Sequence, residues 1–314
     1  MAEPILIFTK GGGRLGNQLF NVVHLLAWQK ELAPRMRICV FSFWPYASLF
    51  EITGGNQIML QGEAPKWIKL IHQIYCRLPN PWNRRFLKLI VAILHRTAPF
   101  FKFVNHLYPE TDHIVLDLED ARFNEAIAYN PKHLLSGWLI RSWKLVEQHQ
   151  HAIREILRPR STFAKEVTAK MKEIRKNYSF VVGMQIRHGD YRHWRNGEYF
   201  HTTEEYVAWM NSIYKTYSDQ NVVFLVTSDE YQDPLLFKGL PVVFSSGSVN
   251  VGGHYMLSIL ELSECDIICG PNSTFSAWAA LFGNKPLYWK KKGENFFDPS
   301  QKSSLFDLKD GWFI

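Results

Sequence analysis

Apolar and polar residues repeat along this chain with two different periods, and the period separates predicted strands from predicted helices. A continuous apolar run at residues 5–8 and a mainly apolar run at 180–187 predict buried strands, because a parallel sheet is covered on both faces. Apolar residues recur at spacings of three and four over residues 17–32 and 203–217, which predicts amphipathic helices. The pattern therefore predicts an α/β protein.

The predicted elements fall into two series. The first opens with strand 5–8, a glycine-rich loop, helix 17–32 and a strand at 36–43, which is the start of a doubly wound domain. The second consists of strands at 180–187, 221–228, 240–245, 265–269 and 285–290, with helices at 203–217, 252–264 and 272–283. The sequence LRPRS, which follows a helix predicted near 142–157, marks the junction. We therefore predict two domains, 1–158 and 159–314.

The excess positive charge lies in one segment. The chain has 36 Lys and Arg against 29 Asp and Glu, and residues 64–109 contain no acidic residue. The basic residues of this segment are Lys66, Lys69, Arg77, Arg84, Arg85, Lys88, Arg96 and Lys102. Subtracting these eight from 36 leaves 28 basic against 29 acidic residues, so the segment accounts for the whole excess.

The basic segment contains two amphipathic patterns, at 66–78 and 84–96, separated by LPNPWN. We predict a basic helical insertion over 64–109 with its apolar faces in the core and its basic faces in solvent. Peripheral contact of residues 66–102 with an anionic membrane is the functional alternative, because Lys and Arg are attracted to such a surface. Nucleic acid is not expected as a partner, because no recognition motif accompanies the charge.

Composition and the start of the chain favour a cytoplasmic globular protein. Hydrophobic residues make up 46% of the chain, which suffices for two cores. The start MAEPILIFTKGGG lacks a basic region and a long apolar run, so no signal peptide is expected, and no uncharged run reaches membrane-spanning length. The cysteines, Cys39, Cys76, Cys265 and Cys269, lack zinc-site spacing and are expected to be thiols in a reducing compartment.

The loop GGGRLGNQLF contains Gly11, Gly13 and Gly16 in the spacing G-x-G-x-x-G, which is found in dinucleotide-binding sites. Such a site should also place a carboxylate at the end of the second strand, but Ser42 stands there. An NAD-dependent oxidoreductase is therefore a minor alternative. Asn17 and its neighbours at the helix start are positioned to meet an anion, because the amides of a first turn have no intrahelical partners.

Two motifs in the second series carry groups suited to a nucleoside diphosphate. In IRHGDY, a buried strand brings Arg187, His188 and Asp190 into the following loop. Arginine suits a diphosphate because its planar fork makes paired hydrogen bonds and keeps its charge, although a surface ion pair between Arg187 and Asp190 is equally compatible with the sequence. Asp229 follows the next strand, in TSDE, where it could bind a nucleoside or cap a turn.

The third motif, GPNSTFS, ends a strand and begins a helix. Ser273, Thr274 and Ser276 cluster with the amides of the first turn and form a candidate anion-binding site. N-capping alone would require only one of these hydroxyl groups. The motif therefore favours a ligand.

The segments GGRLGNQLF, IRHGDY, TSDE and NSTFSAWAALFG, in this order, resemble the bacterial α1,2-fucosyltransferases of glycosyltransferase family eleven. More distantly they resemble the protein O-fucosyltransferases and the nodulation fucosyltransferase. The resemblance covers both halves of the chain and implies a GT-B-like fold of two doubly wound, Rossmann-like domains facing a cleft. It further implies inverting, metal-independent transfer of fucose from GDP-fucose to a hydroxyl of an oligosaccharide or lipid-linked glycan acceptor, in α1,2 linkage.

The same resemblance implies roles for individual residues. The N-terminal domain would face the acceptor, and Gly16 and Asn17 would lie near the donor sugar or phosphate. The C-terminal domain would hold GDP-fucose, with Arg187 on the β-phosphate and Asp229 near the guanosine. The diphosphate would also meet Ser273, Thr274 and Ser276. The pattern departs from the family at Gln185 and His188, where His and Arg are usual.

Inversion requires a base that takes the acceptor proton on the face opposite the leaving group. Asp190, Glu198 and His188 are the candidates, and the sequence does not separate them. The chain contains no D-x-D sequence, so a metal-bound diphosphate has no evident ligand pair. Arg187 and a helix N-terminus could neutralise the leaving group instead. A sugar-nucleotide-binding protein with weak or different donor use is the alternative that the departures at Gln185 and His188 suggest.

Overall fold

The computed structural model describes residues 3–52, 55–108, 115–137 and 139–303, which form two compact units that divide after Pro159. The strands are β1 (Ile5–Lys10), β2 (Arg37–Val40), β3 (Phe50–Ile52), β4 (Val104–Leu107), β5 (Val115–Asp117), β6 (Lys132–Ser136), β7 (Leu139–Arg141), β8 (Leu157–Pro159), β9 (Phe180–Ile186), β10 (Val222–Ser228), β11 (Val242–Phe244), β12 (Ile267–Gly270) and β13 (Leu287–Trp289). The α-helices are α1 (Leu15–Leu32), α2 (Trp44–Ala47), α3 (Lys66–Arg77), α4 (Trp82–Thr97), α5 (Ala121–Tyr129), α6 (Trp143–Ile156), α7 (Ser161–Asn177), α8 (Thr203–Thr216), α9 (Tyr255–Ser263) and α10 (Thr274–Gly283).

The N-terminal unit is built on a four-stranded parallel sheet in the order β2-β1-β6-β4. Two smaller pairs, antiparallel β3-β8 and parallel β5-β7, complete its strands. Helix α1 is buried over most of its length, which explains why its sequence is apolar on more than one face. Strand β4 lies within the segment predicted as a helical insertion and joins the main sheet at its edge.

The two predicted basic helices are present as α3 and α4. In α3, Ile68 and Tyr75 enter the core of the N-terminal unit. No side chain of α4 is fully buried, although several of its apolar residues pack partly against the same core. Among the helices of the described residues, none has both the length and the apolar character required to cross a bilayer.

The C-terminal unit contains a five-stranded, wholly parallel sheet in the order β11-β10-β9-β12-β13. Numbered within the unit, this is the order 3-2-1-4-5 of a doubly wound domain. Both faces of the sheet are covered, and β10 is buried throughout, which accounts for its uninterrupted apolar sequence. Trp209 and Tyr206 of α8 pack against β9 and β10 in one core cluster.

Some elements differ from the sequence expectation for local reasons. The strand predicted over 36–43 ends at Val40, because Phe41–Phe43 forms a 3₁₀ turn whose aromatic side chains are buried. Helix α7 was not predicted, since its 17 residues are mostly polar. Only Val167, Met171 and Ile174 of this helix are buried, at the spacing i, i+4, i+7.

Stability should fall in mild acid, because the fold buries neutral histidines. His106 Nε2 lies 3.1 Å from His133 Nδ1, and burial followed by the neighbouring His133 lowers the pKa of His106 to about 4. As the pH falls, the unfolded chain binds this proton at a higher pH than the folded chain does. The stabilisation is therefore complete above about pH 6.5 and is lost as the pH falls towards about 4. Urea unfolding across this range measures the effect, at most about 1.4 kcal/mol per pH unit for each proton.

His106→Gln retains a donor for His133 Nδ1 and should reduce the loss of stability in acid. The control is His151→Gln, at an exposed position of α6. Equal pH slopes for His106→Gln and the wild-type chain would contradict the role of this histidine pair.

Candidate active site

The carboxyl ends of β9 and β12 meet where the chain order of the C-terminal sheet reverses. On one side β9 pairs with β10, which follows it in the chain, and on the other side with β12, which follows β11. A reversal of this kind leaves a crevice beyond the strand ends, where open α/β sheets bind ligands. Residues 187–190 and 271–273 follow β9 and β12, so the motifs IRHGDY and NSTFS come together at this edge.

Hydroxyl groups build the turn from β12 into α10. Ser273 is the N-cap of the helix, and its Oγ accepts from the Phe275 N–H at 3.2 Å. Ser276 Oγ donates to the Ser273 carbonyl oxygen at 3.1 Å. Within the described part of the chain, the Thr274 hydroxyl makes no hydrogen bond. Ser273 and Ser276 therefore shape the turn, and Thr274 remains available to a ligand.

Gln185, one of the departures from the family pattern, connects the two motifs. Its side chain is buried at the end of β9, and its Nε2 donates to Ser273 Oγ at 3.3 Å. The side chain thus links β9 to the start of α10 across the point of reversal. This role could not be read from the sequence, because it depends on β9 and β12 being neighbours.

Arg187 is held from three sides. Its Nη2 donates to Asp190 Oδ1 at 2.6 Å, and its Nη1 lies 3.0 Å from Asp229 Oδ2. The guanidinium carbon lies 5.5 Å from the centre of the Tyr191 ring. The ion pair with Asp190 that the sequence allowed is therefore present, and a second carboxylate joins it. The result is a fixed, partly exposed cation at the strand ends.

Asp229 fixes the loop as well as the arginine. Its second oxygen, Oδ1, accepts from the His188 N–H at 2.9 Å, so both carboxylate oxygens are engaged. The close approach requires glycine at position 189, since a Cβ there would lie 2.5 Å from Asp229 Oδ2. The proposed contact of Asp229 with guanosine remains a prediction.

Tyr191 is a site residue that the sequence analysis missed. Its hydroxyl donates to the Asn272 carbonyl oxygen at 2.8 Å and joins the loop after β9 to the loop after β12. Burial raises the pKa of Tyr191 to about 12, so the hydroxyl remains a donor at neutral pH. An aromatic residue directly after the charged motif was the available signal.

The structure separates the three candidate bases. Asp190 lies on Arg187, and its side chain is about half exposed (52%). Glu198 lines a cavity of about 410 Å³ beyond β12 and β13, together with Asn272. His188 lines a different cavity, of about 450 Å³, with Arg192 and other residues. Burial first, and Arg192 second, lower the pKa of His188, which favours its neutral form.

The cavity beside Glu198 contains lysines that the sequence analysis did not single out. Lys290, Lys291 and Lys292 follow β13 and line it. Lys292 Nζ donates to the Gly197 carbonyl oxygen at 3.0 Å, which ties the Glu198 loop to the end of β13. Three consecutive lysines at the end of a predicted strand were a signal for an anionic ligand at this edge.

In the N-terminal unit, packing explains the glycine-rich loop. Gln18 Nε2 donates to the carbonyl oxygens of Gly11 at 3.0 Å and Gly12 at 2.7 Å. A Cβ at position 11 would lie 2.6 Å from Asn21 Nδ2. The turn after β2 contains Ser42 and no carboxylate, so the acidic partner of a dinucleotide site is missing.

The two loop residues predicted near the donor differ in exposure. Asn17 lies in the first turn of α1 and is half-buried, whereas Gly16 is buried within the same turn. Asn17 is therefore the more accessible of the two. Their proximity to a donor remains a prediction.

A buried arginine lies behind this loop and was also missed. Arg141 Nη1 donates to Asn21 Oδ1 at 3.2 Å and to the Ile140 carbonyl oxygen at 2.8 Å. Burial lowers the pKa of Arg141 to about 9. The adjacent Ser142 N–H donates to His24 Nδ1 at 3.0 Å. These contacts connect α1 to the end of β7 and support the helix that follows the loop.

The fold is similar to that of solved fucosyltransferases. A mutant of Arabidopsis thaliana FUT1 in complex with GDP has a TM-score of 0.57 at 14% identity, over 96% of this chain and 74% of that one. NodZ from Bradyrhizobium has a TM-score of 0.50 at 15% identity, over 97% and 98%. NodZ α1,6-fucosyltransferase soaked with GDP-fucose has a TM-score of 0.51 at 13% identity, over 96% and 98%.

No family model and no curated protein sequence matches the chain. At these identities the likeness concerns the fold. The parallel sheets and the similarity to GT-B-like fucosyltransferases confirm the predicted α/β, GT-B-like fold class.

The two carboxylates on Arg187 should differ in their contribution to stability. Asp229→Ala leaves the His188 N–H without its acceptor and should lower the free energy of unfolding by about 1–3 kcal/mol. Asp190→Ala removes an exposed ion pair and should cost about 0–1 kcal/mol. Urea unfolding followed by circular dichroism compares the variants. A larger loss for Asp190→Ala would contradict the structural role of Asp229.

Proposed function

We propose that the protein is an inverting, metal-independent fucosyltransferase that moves fucose from GDP-fucose to a hydroxyl of a glycan acceptor, in α1,2 linkage. The observation that carries the proposal is that Arg187 and the Ser273-capped N-terminus of α10 follow neighbouring strands at the reversal of the C-terminal sheet, where Gln185 and Tyr191 link the two connections. A fixed cation and the positive end of a helix together suit a leaving nucleoside diphosphate.

Arg187 would take the β-phosphate, and the amides of α10 with Thr274 would bind the remaining phosphate oxygens. The two carboxylates outweigh the single positive charge of Arg187, so we infer that one carboxylate yields to the anionic donor. Asp190 is the one to yield, because it is exposed and Asp229 is also bound to the His188 N–H. The diphosphate of the donor thus replaces the Asp190 carboxylate on Arg187, and the guanidinium stays in place.

Metal independence is part of the proposal. The chain has no D-x-D sequence, and the described residues contain no group of three His, Cys, Asp or Glu side chains that could hold a metal ion. Negative charge that develops on the leaving diphosphate would be balanced by Arg187 and by the dipole of α10.

We assign the role of general base to Glu198. Glu198 lines the cavity that Asn272 connects to the Ser273 turn, whereas Asp190 lies on Arg187, where this proposal places the leaving diphosphate. A base beside an open cavity can reach an acceptor hydroxyl, which is the geometric requirement for proton transfer. In this scheme the N-terminal unit presents the acceptor, with Asn17 and Gly16 near the donor.

The solved structures support the donor class. Those similar to this chain include FUT1 with GDP and NodZ soaked with GDP-fucose. NodZ is an α1,6-fucosyltransferase, so the shared fold leaves the linkage open, and α1,2 transfer rests on the motif resemblance.

A sugar-nucleotide-binding protein is the second candidate. The replacements at Gln185 and His188 favour it, because they would weaken transfer relative to binding. An NAD-dependent oxidoreductase is the least supported, since the turn after β2 lacks a carboxylate.

Turnover tests the proposal directly. The nucleoside diphosphate should be released from GDP-fucose and not from GDP-mannose or UDP-sugars, and its release should persist in EDTA. Loss of turnover in EDTA, or no binding of GDP-fucose, would contradict the proposal. Tight GDP binding without transfer or donor hydrolysis would select the binding protein. Fluorescence quenching by NADH without any by GDP would select the oxidoreductase.

Arg187→Ala should lower kcat/KM by about 100- to 1,000-fold, because a preorganised charge on the leaving group is lost. The matched control is Arg175→Ala. Arg175 also pairs with a carboxylate, Asp266, but at the amino edge of the same sheet, and its loss should leave turnover intact. Retained activity in Arg187→Ala, with the fold intact by circular dichroism, would remove Arg187 from the mechanism.

Glu198 and Asp190 can be separated by substitution. Glu198→Gln should lower kcat by about 100- to 10,000-fold while GDP affinity is retained, because only proton transfer is removed. Asp190→Asn should bind GDP more tightly, since the competing carboxylate on Arg187 is gone. Isothermal titration with GDP and steady-state kinetics measure both. The reverse result, full activity in Glu198→Gln and loss in Asp190→Asn, would assign the base to Asp190.

A further inference from the structure

The α3–α4 hairpin exposes apolar side chains that its packing does not explain. Helix α3 buries Ile68 and Tyr75, and the side chains one position earlier in each case, Trp67 and Ile74, are exposed. On α4, Trp82 is 57% exposed and Leu89 is 58% exposed. The exposed large apolar residues of the hairpin and the turn after it are Trp67, Leu70, Ile74, Trp82, Leu89, Ile93, Phe100 and Phe101.

These residues form one stripe on each helix. Residues 67, 70 and 74 have the spacing i, i+3, i+7, and residues 82, 89 and 93 have the spacing i, i+7, i+11. Both series return to the same side of a helix with 3.6 residues per turn. Each helix therefore carries two adjacent apolar faces, one packed on the core and one open.

The basic residues flank the open stripes. At 100° per residue, Arg85 and Arg96 lie beside the stripe of α4 on the side away from the core, and Lys66 and Arg77 lie beside that of α3. Arg85 stacks on Trp82, with its guanidinium carbon 4.9 Å from the ring centre. None of the eight basic residues of the segment forms an ion pair with another described residue. Around each helix, the side that packs on the core is therefore followed by the open apolar stripe and then by the basic residues.

We propose that the α3–α4 hairpin binds the surface of an anionic membrane, with the two stripes at the level of the lipid headgroups and the cations against the headgroup charges. Amphipathic helices that lie in the interface combine Trp, Phe and Leu on one face with Lys and Arg beside it. The proposal does not depend on the proposed enzymatic activity.

Charge and exposed apolar side chains together favour an anionic membrane over a second copy of the chain and over a nucleic acid. A second copy of the chain would set eight cations against eight cations, with no acidic residue of 64–109 to offset them. A nucleic acid would match the cations but leave eight large apolar side chains without an apolar partner. An anionic bilayer satisfies both components.

Flotation with the full-length chain tests the proposal. The chain should float with vesicles of phosphatidylcholine containing phosphatidylglycerol, and not with vesicles of phosphatidylcholine alone. Binding should fall between about 0.05 M and about 0.5 M salt, because the charge component is screened. Failure of the wild-type chain to bind anionic vesicles at low salt would overturn the proposal.

Two sets of variants separate the components. Arg77→Gln with Arg85→Gln and Arg96→Gln should weaken vesicle binding by about 100-fold. The matched control is Lys165→Gln with Lys172→Gln and Lys215→Gln, which removes the same charge from exposed positions of the C-terminal unit and should have little effect. Equal losses of vesicle binding in the two sets would mean that binding depends only on the net charge of the protein, and this result would overturn the assignment to the hairpin.

Leu70→Gln with Leu89→Gln and Ile93→Gln should weaken vesicle binding by at least about 10-fold and leave the thermal unfolding temperature unchanged, since these side chains are exposed. Brominated lipids give a second measurement, because they should quench tryptophan fluorescence less in Trp82→Phe than in the wild-type chain. Duplex DNA binding that survives the apolar variants, without vesicle binding, would assign the face to nucleic acid. Self-association by sedimentation that the apolar variants abolish, again without vesicle binding, would assign it to a second copy.

Discussion

The carboxyl edge of the C-terminal sheet depends on the carboxylate of Asp229. One oxygen holds the backbone of the loop after β9 through the His188 N–H, and the other holds the guanidinium of Arg187. Because Asp229 directly follows β10, and Arg187 and His188 directly follow β9, the pairing of these two neighbouring strands fixes the position of the cation. The glycine at position 189 follows from the same contact, since any larger residue would displace the carboxylate.

On the other side of β9, the neighbouring strand β12 and the start of α10 complete this edge of the sheet. Gln185 and Tyr191 each reach from the β9 side to the β12–α10 connection, by a side-chain amide and by a phenol. These two bonds place the N-terminus of α10 and the arginine within one site. The helix and the cation are therefore preorganised before any ligand binds, which is the condition for electrostatic stabilisation of a leaving group.

The sequence allowed much of the fold to be predicted and less of the site. The strands from residue 180 onward are apolar runs bounded by polar turns, so their positions and their parallel arrangement could be inferred. Arg187 and Ser273 could be singled out because charge and hydroxyl groups follow such strands directly. Gln185, Tyr191 and Lys292 could not be assigned in the same way, because their roles arise from contacts between segments distant in sequence. Short elements such as β5 and β7 gave no periodicity long enough to recognise.

The pairing of Asp190 with Arg187 has a consequence for the end of a catalytic cycle. The carboxylate is tethered three residues from the guanidinium, so its effective concentration there is high and independent of the solution. A departing nucleotide would leave a cation that already has a replacement counterion within reach. In the proposed fucosyltransferase, this exchange would shorten the residence time of the product and would make inhibition by accumulated nucleotide weaker than the strength of an arginine–diphosphate contact would suggest.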